Sequence, residues 1–214
     1  MNVSKKLTQI IMVSLLLTSL FSTTVSATGV EAKPKNYAQG FHDAMRKLWE
    51  DHITWTRLVI VSIANDLPDT QATVDRLLQN QSDIGNAIKP FYGEAAGNQL
   101  TALLRDHILI AAEILQAAKS GDTAAQNDAI ARWYANADAI AEFLHAANPE
   151  QWPLEEMKMM MHEHLDLTLQ EAVTYLQGDH TTSVSAYDEI HVQILGMADM
   201  LSDGIIRQFP NAFK

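Results

Sequence analysis

The sequence predicts an all-α fold: an up-and-down helical bundle of about six helices, built from three repeated helical hairpins. Three observations lead there. From Asn36 onward, apolar residues recur at three- and four-residue spacing almost without interruption, which is the period of an amphipathic helix. Helix-breaking residues gather at a few places: Asn65 to Asp69, Lys89 to Gly93, Ser120 to Asp122, Asn148 to Pro153, and Gly178-Asp179. The chain also aligns with itself, placing His52, His107 and His164 in register at intervals of 55 and 57 residues.

The elements follow in order. Residues 1–27 begin MNVSKK, continue with an apolar run from Leu7 to about Phe21 and reach Val25-Ser26-Ala27, the layout of a cleavable secretory signal peptide. The apolar run is short for a membrane span, which takes about 20 residues, so no span is expected after cleavage. Residues 28–35, TGVEAKPK, read as a flexible leader. Residues 36–214 then form a single helical domain, with helices near 36–64, 69–88, 94–119, 122–147, 153–177 and 181–208. They pair as hairpins over about 36–88, 94–147 and 153–208. Gly121 and Gly178 suit left-handed helix ends, and Asp69, Asp122 and Asp179 can accept hydrogen bonds from the free amides of the next helix. Pro153 fits a first helical turn, where its missing N–H costs nothing.

Composition narrows the function. Removing residues 1–27 takes away Lys5 and Lys6 and no acidic residue, moving the net charge from −11 to −13. Such a surface repels nucleic acid and attracts cations. With no cysteine, the chain has no disulfide, thiolate metal site or c-type haem attachment. It also lacks a phosphate-cradling glycine loop, a serine nucleophile elbow, an HExxH motif and the two Glu-x-x-His motifs that a di-iron bundle needs. Met157, Met160 and Met161 fall at core spacing and read as packing rather than copper ligands.

The remaining signal is a polar layer. His52, His107 and His164 each sit on an apolar stripe, for example Leu48, His52, Trp55, Val59 and Ile63. Within each hairpin one aspartate, Asp83, Asp138 or Asp199, lies about as far beyond the turn as the histidine lies before it. Antiparallel packing then brings three imidazoles and three carboxylates to one depth, with Glu171 on the His164 stripe. A metal ion such as zinc, iron or manganese would use imidazole and carboxylate as ligands. Alternatively, each aspartate only orients its histidine and the layer sets helix register. On either reading, if the acids are buried, replacing His107 by Leu strands Asp138 and costs about 3–5 kcal/mol.

The stretches "LWEDHITWTRLVIVS", "LLQNQSDIGNAIKPFYGEAAGNQLTALLRDHILIAAE" and "RWYANADAIAEFL" resemble those of uncharacterised, predicted-secreted helical proteins of spore-forming Gram-positive bacteria. The resemblance covers nearly all of the chain after residue 27 and implies a bacterial extracytoplasmic protein, with no catalytic residues to carry over. The expectation is a secreted protein that binds a metal ion or small polar ligand in its His/Asp layer, with no motif that assigns it a reaction. The alternatives are a structural or protein-interaction module of the cell envelope, and a hydrolase using metal-bound water.

Overall fold

The computed structural model describes residues 36–214, so the signal-peptide and leader readings of residues 1–35 lie outside the described residues. The described residues form five α-helices and no strand: α1 (Tyr37–Ala64), α2 (Thr70–Ser120), α3 (Thr123–Ala147), α4 (Leu154–Leu176) and α5 (His180–Gln208), ending in a short 3-10 turn, Pro210–Phe213. Consecutive helices pack on one another and α5 returns to α1, so the elements close into a bundle. Among the described residues, no helix is long and apolar enough to cross a membrane.

Three of the five helix starts carry a side-chain cap, and Pro153, expected in the first turn of its helix, stands just before α4 without one. Asn36, Asp122 and Asp179 accept hydrogen bonds from the amides of Gln39, Ala125 and Thr182, at 3.1, 3.0 and 3.1 Å. Asp69 makes no such cap and instead accepts from the Ser62 hydroxyl at 2.9 Å. Gly121 and Gly178 take left-handed φ values of 73° and 79° just beyond helices α2 and α4.

The break expected at Lys89 to Gly93 is a kink inside the α2 element, because the helix that enters it does not end at Pro90. Residues 70–120 form one element in which Gly93 alone leaves helical geometry, at φ 85° and ψ 168°. A straight helix would separate Gly85 from Gly97 by about 18 Å. Here a Cβ on either glycine would stand 2.6 Å from the other's carbonyl oxygen. The Arg105 guanidinium also donates to the Leu78 carbonyl at 3.4 Å. Thus α2 doubles back at Gly93, and the two glycines let its arms touch backbone to backbone.

Two apolar clusters fill the interior. The larger includes Trp49, Ile84, Leu104, Ile140, Met161 and Leu165, and the smaller includes Val59, Ile60, Leu77, Ile108 and Leu115. His52, His107 and His164 fall on their helices between residues of the two clusters.

A three-histidine centre as the candidate functional site

Three helices each deliver one imidazole to the core. His52 of α1, His107 of the second arm of α2 and His164 of α4 are 3%, 3% and 4% exposed. The His52 and His164 rings lie 5.7 Å apart between centroids. His107 is close enough that each of the other two feels its field or imposes one on it. Trp49 meets the His52 ring edge-on at 5.7 Å, and Trp133 lies 5.0 Å from His107 while donating its indole N–H to the His107 carbonyl at 3.0 Å.

All three imidazoles are held neutral. Burial drives His52 well below the ordinary histidine range, and the fields of His164 and His107 push it further down. Burial and then His164 lower His107 to about 3, against a smaller upward pull from Asn136. Burial lowers His164 to about 4, and Gln193 opposes it. A neutral imidazole is the form that binds a metal.

The partners of these rings are carboxamides and not carboxylates. Gln81, Asn136 and Gln193 each follow their histidine by 29 residues. Asn136 is the best defined: its Nδ2 donates to the Leu103 carbonyl at 3.0 Å, which turns its Oδ1 to His107 Nδ1 at 2.9 Å. His107 Nδ1 is therefore the donor, and the ring's lone pair resides on Nε2. Gln81 presents its Nε2 to His52 Nδ1 at 3.3 Å while also donating to the Leu77 carbonyl at 2.8 Å. Gln193 sits beside His164 and donates to the Met160 carbonyl at 2.9 Å. Its Oε1 and His164 Nδ1 are both buried without a hydrogen bond of good geometry. Each histidine's helix is gripped at the residue one turn earlier, since Asn80 likewise donates to the Leu48 carbonyl at 2.9 Å.

The structure places the expected acids elsewhere. Asp138 pairs with His162 Nε2 at 2.9 Å, and Asp199 with His42 Nε2 at 3.0 Å and Arg46 at 2.6 Å. Both aspartates are 39% exposed at the side chain. Asp83 is half-buried and accepts from Gln79 at 2.9 Å. Glu171 is buried, but its partner is Arg57 at 2.6 Å, two turns beyond the histidine on the same stripe. Burial pushes the Glu171 carboxyl up, against the downward pull of Arg57. The histidines thus converge, while Asp83, Asp138, Asp199 and Glu171 stay outside their layer. Among the described residues, no group of three or more His, Asp or Glu side chains is arranged to hold a metal ion.

Sequence reasoning missed the carboxamides and Arg57. The constant spacing of 29 was a usable signal, because the aspartates follow their histidines by 31, 31 and 35 residues. In comparisons with family models, curated proteins and solved structures, nothing matches the chain.

Proposed function

We propose that this protein is an extracytoplasmic binding module whose three-histidine centre takes up one metal ion, and that its chain is three copies of a histidine-bearing hairpin. One observation carries the reading: three neutral imidazoles from separate helices meet in the core, and His107 has its proton fixed on Nδ1, leaving Nε2 as a donor. The equal spacing to Gln81, Asn136 and Gln193 supports the threefold repeat, and Asn136, which accepts the His107 Nδ1 proton, is the kind of orienting partner that metal-binding histidines use. Because no carboxylate joins the rings, the site suits an ion that imidazole binds well, such as zinc or iron, over manganese, which favours oxygen ligands. The extracytoplasmic location rests on the signal-like pattern of residues 1–27.

A second reading has its own support. Gln81 and Asn136 engage the His52 and His107 rings, and no group of three or more His, Asp or Glu side chains arranged to hold a metal ion stands among the described residues. The layer would then be a device that sets helix register in a structural or interaction module.

Elemental analysis of protein purified without chelator, followed by zinc titration with a thermal melt, separates the two. The binding reading expects one metal per chain and a higher melting temperature, since a ligand selective for the native state must stabilise it. It also expects loss of both in His107→Gln and retention of both in Asp138→Asn. Absence of metal together with an unchanged melt leaves the structural reading.

A further inference from the structure

One helical turn beyond the histidines lies a void of about 40 Å³. We infer that this void is a binding site for one small, uncharged, apolar molecule, of the size of dioxygen or a xenon atom. The inference does not depend on metal uptake by the histidines.

Position comes first. Thr56, Ala111 and Thr168 each follow a layer histidine by four residues, and all three line the void. They form the next level of the bundle, with alanine where the other two helices carry threonine. Val59, Ile60, Leu77, Ile108 and Leu115 close the void on its deeper sides and are themselves buried.

The lining chemistry then selects the occupant. A water molecule needs about 10–15 Å³ and two to four polar partners, so volume alone admits water and polarity decides. The hydroxyls on offer are those of Thr56 and Thr168. Each spends its proton on its own helix, donating to the His52 and His164 carbonyls at 2.8 and 2.7 Å. The Trp133 indole N–H is likewise committed, to the His107 carbonyl. An ion or polar solute would find no free donor, whereas an apolar molecule loses nothing by leaving water. Size sets the upper bound, because a benzene-sized guest takes a cavity of about 150 Å³. Interiors otherwise hold few voids larger than a water molecule. A second void, in the half of the core around Trp49, Ile84 and Ile140, measures about 20 Å³ and serves as an internal control.

Xenon is the probe. Metal-free protein is labelled at its Ile, Leu and Val methyls and followed by NMR under increasing xenon pressure. The expected result is a shift that saturates at Val59, Ile60, Leu77, Ile108 and Leu115, while Ile84 and Ile140 stay near their starting positions. In Ala172→Leu, which extends a buried lining residue into the void, the saturable shift should disappear. Ala112→Val is a milder filling variant with the same expectation if Ala172→Leu fails to fold. A non-saturating drift shared by all methyls, or a first response around Ile84 and Ile140, overturns the inference. So does a response in wild-type protein that survives in the filled variant.

Discussion

Glu171 is the most buried acid among the described residues, at 1% exposure, and Arg57 at 2.6 Å is its counter-ion. Breaking a buried pair by removing one partner leaves an uncompensated charge, which costs about 3–5 kcal/mol. Arg57→Ala is expected to lose that amount at pH 7 in urea denaturation, and Glu171→Gln distinctly less. The pH dependence has a definite sign. Burial raises the Glu171 carboxyl in the folded state, so folding favours its protonated form, and stability tied to this group is present at low pH and lost as pH rises. Without Arg57 the rise is larger, and Arg57→Ala should regain part of its deficit on moving from pH 7 to pH 5. His107 is a milder case. Its ring faces the Asn136 carboxamide, and Asp138 belongs to His162. His107→Leu therefore strands no carboxylate and is expected to cost about 1–3 kcal/mol, the range for an orphaned neutral polar group. A loss beyond that range in the same assay would show that the ring carries more than this hydrogen bond.

The reversal of α2 depends on glycines in different ways. Gly93 occupies φ 85° and ψ 168°, a region open in practice to glycine alone, and holding another residue there costs about 1–3 kcal/mol. A Cβ at Gly93 meets nothing within 4 Å, so Gly93→Ala tests backbone strain by itself. Gly85 tests contact by itself: its φ is helical, but a Cβ would stand 2.0 Å from Thr101 Oγ1 and 2.6 Å from the Gly97 carbonyl oxygen. The second of these is backbone and cannot swing aside. Gly85→Ala should therefore also cost about 1–3 kcal/mol through overpacking. Gly196, in the middle of α5, supplies the opposite sign. A Cβ there meets nothing within 4 Å, and Gly196→Ala should stabilise by about 0.5–1 kcal/mol. Thermal melts of the three variants decide the matter, and a stabilised Gly85→Ala would refute the close-contact account of the bend. The sequence marks Lys89 to Gly93 as a break because proline and glycine usually end helices. It does not show that helical geometry runs through Pro90 and turns only at Gly93.

At the scale of the molecule, the all-helical bundle and the buried histidine level were legible, because a 3.6-residue stripe specifies which face of a helix turns inward. The identity of the histidines' partners was not. Equal distance from a turn sets height along the bundle and says nothing about direction around the helix. Asp83 and Asp138 lie two residues beyond Gln81 and Asn136, about 200° farther round at 3.6 residues per turn, so they face away when the carboxamides face in. The outcome is a core whose buried polar layer consists of groups that are neutral above the histidine range, and this has a consequence for acid stability. The unfolded histidines take a proton near pH 6.5, whereas folded His107 and His164 do so only near 3 and 4, and His52 likewise far below its ordinary value. Between those limits the unfolded chain binds more protons, so stability is full above pH 6.5 and falls as pH drops towards the folded values. Each such histidine contributes up to about 1.4 kcal/mol per pH unit, about 4 kcal/mol per unit for three. Total stability is typically about 5–15 kcal/mol. Glu171 opposes the trend. Asp179, held low by its bonds to Thr182, adds acid sensitivity only at lower pH. Urea denaturation at half-unit steps from pH 7.5 to 4 should show stability falling steeply below 6.5, with unfolding before pH 4. His164→Gln should reduce the slope by about a third. A wild-type stability unchanged between pH 7 and pH 5 would mean that the three imidazoles are not sealed from water.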